Sequence, residues 1–345
     1  MSDIEIACPA PHPAGGMIQL AHGGGGRLSQ RLLDDVFFSA FSNPSLNEHL
    51  DASLFAGASM AVTTDGYVVH PWRFPGGNIG SLAVHGTIND LAMVGAKPLV
   101  LSAAFILEEG FWTNDLAEVV ESMREAAAGA NVSIVAGDTK VVERGKGDGI
   151  YIVTTGVGHV VAPTQLKPRA IKPGDMILIS GDVGRHGAAV LSVREGLALE
   201  TPIESDSATV LEPVIALLES GVRVRCLRDV TRGGLASILN EIARDGALGA
   251  HIEEAAVPVD PQVTGICELF GLDPLYVACE GRFVAFVAPD DAPYALEVLR
   301  RFEVSKGAGA IGQVTDDPGL VSLVSRIGVE RVLDLLSGEQ LPRIC

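Results

Sequence analysis

Three aspartates stand where apolar runs of this sequence stop or are interrupted: Asp65 after residues 60–64, Asp90 beside Leu91 and Ala92, and Asp138 after residues 132–135. Carboxylates drawn partly into a fold need compensation, and a magnesium ion supplies it when it takes a few of them together with nucleotide phosphates. An aspartate at such a place also makes a turn or caps a helix by default. Spacing alone leaves both readings open. A second feature is the run His22, Gly23, Gly24, Gly25, Gly26. Glycine backbone approaches an anion closely, and a helix that follows it offers free N–H groups to phosphate. No Lys-Ser or Lys-Thr follows at P-loop spacing, so a plain hinge is the equal alternative, and His22 is as ambiguous. A third is Cys345, the last residue of the sequence, whose neighbouring α-carboxylate favours thiol over thiolate. A mobile tail from Ser337 reaches about 30 Å when extended, enough for a sulfur to visit a site in the body and swing out to a partner. An accidental terminal cysteine is the bland alternative. A GxGxxG match at Gly307, Gly309 and Gly312 has the wrong setting for a dinucleotide, because a helical pattern precedes it and a strand-like run follows.

These residues have to be held by recognisable elements. Leu28, Leu32, Leu33 and Val36 keep helical spacing after the glycine run. Residues 60–64 read as a strand that puts Asp65 at its end, before a second β-rich run at 67–69. Residues 79–94 read as a helix carrying Asn89 and Asp90 and stopped by Gly95 and Pro98, and 99–107 read as a buried strand. A helix begins near Asp115, with Leu116, Val119, Val120, Met123 and Ala127 on one face. A strand at 132–135 is expected to stop at Gly137, Asp138, Thr139 and Lys140, with another at 150–155. Prolines 163, 168 and 173 mark a domain boundary within 162–174. Strands at 176–180 and 283–287, a helix at 235–243 and a last amphipathic helix through Val329, Val332, Leu333 and Leu336, closed by Gly338, complete the second half. Residues 1–16, rich in proline and glycine, read as a mobile arm.

A chain of 345 residues fits two domains, and cores built from aliphatic residues, with aromatics at only 5%, suit an α/β or α+β class. The net charge of −18 repels phosphate backbones and anionic lipid, so no nucleic acid and no membrane is expected as a partner. Five cysteines without a CxxC pair, and the lack of a leader-like start, imply a reducing cytoplasmic setting.

The segments HGGGG, TTDG at 63–66, GTINDLAMVGAKP at 86–98, GDTKVV at 137–142, RDVTRGGLASILNEIA at 228–243 and the final PRIC together resemble the HypE family of hydrogenase maturation. The resemblance runs from about residue 17 onward. It implies a PurM-like two-domain fold: an α/β domain at 17–162 that forms a dimeric sheet or barrel core with a second subunit, an α+β domain at 163–336, and a flexible tail at 337–345. It also implies ATP with Mg2+ as cofactors, bound at the dimer-related cleft. Asp65, Asp90 and Asp138 become the metal candidates. His22 with Gly23 to Gly26, Asn89 and Thr139 join them around the nucleotide. Lys140 and Glu280 match positions tied to proton removal, and Arg232 a position beside the tail channel. The implied reaction is ATP-dependent dehydration of an S-carbamoyl group on Cys345 to thiocyanate. The implied partners are a HypF-type carbamoyltransferase, a HypC–HypD complex and a second copy in a homodimer. The alternatives are another kinase of the superfamily, such as a selenophosphate synthetase, or a nucleotide-gated thiol carrier. The former usually places Cys or selenocysteine in the early glycine loop, where this chain has only His22 and Arg27.

Overall fold

The computed structural model of the chain describes residues 17–55, 59–336 and 341–345; the expected arm with Cys8, and Gly338, lie outside them. Helix α1 (Arg27–Leu32) leaves the glycine run as the leucine spacing requires and continues through a π-helical stretch (Leu33–Phe38) into α2 (Ser39–Phe41). The first half then runs β1 (Ser53–Phe55), β2 (Met60–Tyr67), a small hairpin of β3 (Arg73–Phe74) and β4 (Gly77–Asn78), α3 (Ile79–Met93), β5 (Ala96–Glu108), α4 (Thr113–Gly129), β6 (Ser133–Val142) and β7 (Ile150–Val160). Its sheet has the order β1-β2-β7-β5-β6, with β5 and β6 parallel and the other pairs antiparallel.

Two expected strand ends are absent. Asp65 and Gly66 do not turn the chain, because β2 pairs with β7 without a break from Met60 opposite His159 to Tyr67 opposite Ile152. Gly137 to Lys140 likewise continue in β6, where Asp138 lies opposite Ala104 of β5. In both places a full ladder on the neighbouring strand overrides the local turn preference of Asp-Gly and Gly-Asp. The strand expected at 99–107 is longer, and buried on one face only. Leu101, Ala103 and Leu107 face the helices, whereas Leu99 and Ile106 are exposed.

Helix α3 is buried nearly all round, which its composition of small and apolar residues requires. Asn78 caps it by accepting the N–H groups of Gly80 and Ser81. Its glycines permit close crossings. A Cβ on Gly80 would lie 2.3 Å from the Val119 carbonyl oxygen of α4, and one on Gly86 2.2 Å from the Tyr67 hydroxyl.

The second half comprises β8 (Met176–Ile179), α5 (Arg185–Arg194), α6 (Leu211–Glu219), β9 (Val224–Asp229), α7 (Gly234–Gly246), β10 (Gly249–Glu253), α8 (Pro261–Phe270), β11 (Phe283–Val287), α9 (Ala292–Leu299), β12 (Gly309–Thr315), β13 (Val321–Val324) and β14 (Glu330–Val332). Its seven-stranded sheet has the order β14-β13-β10-β12-β8-β11-β9. The last amphipathic helix expected through Val329 and Val332 is instead the β13–β14 hairpin. Gly328 at φ +80 turns the chain, and the β-branched residues pair at the sheet edge. The GxGxxG segment enters β12, as its setting required, and Gly312 serves packing: a Cβ on it would lie 2.1 Å from the His251 carbonyl oxygen.

The two halves share a core where Ala92 and Met93 of α3 pack among Val210, Val214, Leu217 and Leu218. Among the described residues no helix is long and apolar enough to cross a membrane.

Candidate active site

The cleft between the two halves holds residues 341–345. Every main-chain oxygen from 342 to 345 is bonded. Arg194 donates to Pro342 O and Arg343 O (both 2.7 Å), the His70 N–H also donates to Arg343 O, His186 Nε2 donates to Ile344 O (2.7 Å), and the Val68 N–H donates to Cys345 O (3.0 Å). Ile344 is buried in an apolar cluster drawn mainly from the first half and joined by Val190 and Ala278 of the second, and Cys345 packs against that cluster. The last five residues thus lie against the body, bonded to residues of both halves.

Charged and polar groups converge on Cys345. The negative charge at Cys345 has the largest effect on the Arg232 guanidinium and raises its pKa; Asp65, Glu280 and Tyr67 add to this against the cost of desolvation. Burial pushes the Glu280 carboxyl well above the usual range, Asp229, Asp206 and Asp65 push it further, and Arg232 opposes them. Glu280 Oε1 is buried and has no hydrogen-bond partner among the described residues. Asp90 is also raised well above its ordinary value, first by burial and then by Asp229, Asp65 and Asp51. The Thr63 hydroxyl, which donates to it at 2.7 Å, works the other way. Tyr67 titrates well above 10 because it is buried and faces Asp65, Asp90 and Glu280.

The glycine run forms one wall of an adjoining cavity of about 410 Å³, lined by His22, Gly23, Gly25, Asp51, Asp229 and Arg232 among others. Gly25 is held there for two reasons: its φ is +72, and a Cβ would lie 2.9 Å from the Arg232 carbonyl oxygen. Ser29 of α1 ties the loop by accepting from Gly25 N and donating to His22 O. Gly24 flanks the docked tail with Arg232, Leu341 and Ile344. Arg232 therefore belongs to both the loop cavity and the tail channel.

The structure thus gathers Cys345, Glu280, Asp65, Asp90, Arg232 and the glycine loop. Asn89, expected at the nucleotide, is engaged elsewhere: its amide donates to Ala208 O and Glu280 O and accepts from Val210 N, so it braces the second half. Asp138, Thr139 and Lys140 are not gathered either. Asp138 lies three inter-strand steps from Asp65, roughly 14 Å, and the register puts the two on opposite sheet faces. Lys140 sits 2.7 Å from Asp138 on that outer face and, with the Thr139 N–H, holds its carboxyl below the usual range. Sequence reasoning missed Tyr67, the buried Asp51–Arg228 pair, Asp229, His186 and Arg194. For Arg228 and Asp229 the signal was present in the RDVTRGG segment; for the others no local pattern marks them. Among the described residues no three His, Cys, Asp or Glu side chains are placed to hold a metal by themselves.

Residues 50–160 match the model for the AIR synthase related protein N-terminal domain, and residues 172–325 that for its C-terminal domain. The carbamoyl dehydratase HypE of Cupriavidus necator is 52% identical over 334 residues, covering 96% of this chain and 95% of its own length. That of Escherichia coli is 46% identical, covering 95% and 99%. Among solved structures, a HypE in complex with ATP superposes with a TM-score of 0.81 at 44% identity over 95% of this chain and 100% of its own. A HypE–HypF complex superposes with 0.85 at 46% over 88% and 99%.

Proposed function

We propose a reaction path whose premise is that this chain belongs to the HypE family of carbamoyl dehydratases. Cys345 carries the substrate as an S-carbamoyl group. Hydroxide is a poor leaving group, so an amide does not lose water unaided; ATP removes the difficulty. The carbamoyl oxygen takes the γ-phosphoryl group, a base removes the two N–H protons, and phosphate departs with that oxygen. Thiocyanate remains on Cys345, with ADP and phosphate as by-products. The observation that carries this reading is Arg232. It faces the docked Cys345 and also lines the glycine-loop cavity, so it can balance charge where phosphoryl and carbamoyl groups meet. Glu280, poised between acid and base by burial and by its carboxylate neighbours, is the base.

An ATP complex of a relative supports the nucleotide. Magnesium fits the carboxylates through Asp65 and Asp90. No ready-made cage exists among the described residues, which suits an ion that takes one or two carboxylates and completes its shell with phosphate oxygens and water. When bound it supplies neutralisation of phosphate charge. A HypE–HypF complex of a relative supports a HypF-type carbamoyltransferase as donor. The family resemblance supports iron held by a HypC–HypD complex as acceptor. Residues 17–162 and 163–336 work as two lobes and 337–345 as the delivering tail. A second copy covers the outer face of the first sheet, where Ile106 and Val153 lie exposed beside Asp138 and Lys140. Asp138 can join a phosphate site with Asp65 only from such a partner.

Protein carbamoylated on Cys345 and given Mg-ATP should lose about 18 Da, one water, at the tail peptide, as amide activation by phosphoryl transfer requires. ATP turnover with no loss of mass would favour the thiol-carrier alternative. Asp138→Asn should weaken Mg-ATP binding in a calorimetric titration by about tenfold or less, the effect of one charge-assisted contact. Unchanged affinity removes Asp138 from the site.

A further inference from the structure

We propose that Arg194 and His186 are positioning residues for this reaction: they grip the main chain of residues 342–344 and so set how deep Cys345 enters the cleft. The proposal rests on the reading of Cys345 as substrate carrier. Both residues belong to helix α5 of the second half, His186 in its first turn and Arg194 in its last. Eight residues of helix separate them, about 12 Å, so one rigid element spans the seated segment.

Arg194 uses its guanidinium as a bridge. Nη1 donates to Pro342 O and Nη2 to Arg343 O, while Nε (2.9 Å) and Nη2 (2.6 Å) donate to His70 O of the first half. The fork is planar and its donors are fixed in direction, so three carbonyls from two parts of the chain are aligned by one side chain. His186 is fully buried, edge-on to Phe74. Ile344 O can only accept, so His186 Nε2 carries the proton that points at it. Burial favours the neutral ring, so Nδ1 is the acceptor and the Ser205 hydroxyl, 2.8 Å away, donates to it while accepting from Ser207 N. One tautomer satisfies the chain Ser207, Ser205, His186, Ile344.

Bonds to carbonyls do not distinguish side chains, so a second feature must fix the register. Ile344 is 4% exposed in an apolar cluster that includes Val190 of the same helix, and Arg343 pairs with Asp148 and donates to Val68 O. A slip by one residue would bury the Arg343 guanidinium among apolar side chains without its partner, which is costly. With 342–344 locked, the Cys345 sulfur is one residue from a fixed point. Chemistry between two bound groups is sensitive to misplacement of about 1 Å.

The test compares wild-type protein with Arg194→Ala and Arg194→Lys. Maleimide labelling of Cys345, read at the tail peptide by mass, reports the grip on nucleotide-free protein. Single-turnover dehydration of the carbamoylated protein reports positioning. Arg194→Ala should label about tenfold faster or more and dehydrate about tenfold slower or more, since two charge-assisted bonds to the tail are gone. Arg194→Lys should fall between, and Mg-ATP affinity and melting temperature should stay at wild-type values. The proposal is overturned by wild-type labelling in Arg194→Ala. It is also overturned by faster labelling with undiminished dehydration, or by slower dehydration that merely tracks weaker nucleotide binding and a lower melting temperature. If the unaltered protein does not dehydrate, the carrier reading fails and this proposal with it, a result told apart because labelling still reports the grip.

Discussion

Cys345→Ala is expected to abolish ATP-driven loss of water completely while Mg-ATP binds as before. The alanine removes the only atom that carries the carbamoyl group but leaves intact the cavity lined by His22, Gly23, Gly25, Asp51 and Asp229. The main-chain bonds that seat residues 342–345 do not involve the sulfur, so the shortened side chain still docks. Mass spectrometry of the tail peptide after carbamoyl transfer, paired with a calorimetric titration of nucleotide, reads both halves. Lost nucleotide affinity would contradict the separation of substrate tail from nucleotide cavity.

The second large effect is expected of Glu280→Gln. A glutamine of the same shape cannot take a proton, and removal of a general base slows a reaction by about 10²–10⁴-fold. The change leaves the brace at Asn89 alone, because that amide bonds to the Glu280 main-chain oxygen. A pH series adds a distinct signature. A carboxyl raised above its ordinary value stays protonated to higher pH and becomes a base only as pH rises through its folded value, so wild-type dehydration should climb with pH over that interval. Glu280→Gln should remove the climb. A variant that keeps both the rate and the profile would assign the base elsewhere, with Lys140 next to be tested.

How far these features were legible depends on the range over which they are encoded. The helix after the glycine run, helix α3 and strand β11 are written in local periodicity, and each appears where its residues place it. Asp65-Gly66 and the GDTK segment carry equally clear local turn chemistry, yet β7 and β5 offer complete ladders that outweigh it. The misread helix at 329–336 has a pattern that fits either period, and the turn at Gly328 decides for a hairpin. The docked tail was beyond local reading. His186, Arg194 and Val68 lie far from residues 342–345 in the chain and meet them only once both halves are folded. Asn89 shows the same limit from the other side: its segment was recognised, but its amide serves the neighbouring half rather than the nucleotide.

That brace has a mechanical consequence. Its three bonds all end on main-chain atoms of Ala208, Val210 and Glu280, which side-chain drift at those positions leaves in place. The apolar seam of Ala92 and Met93 against Val210, Val214 and Leu217 stiffens the same joint. The two walls of the tail's cleft are therefore fastened to each other at this joint both by bonds to main chain and by apolar packing, so the seat of residues 341–345 is built on a shared frame.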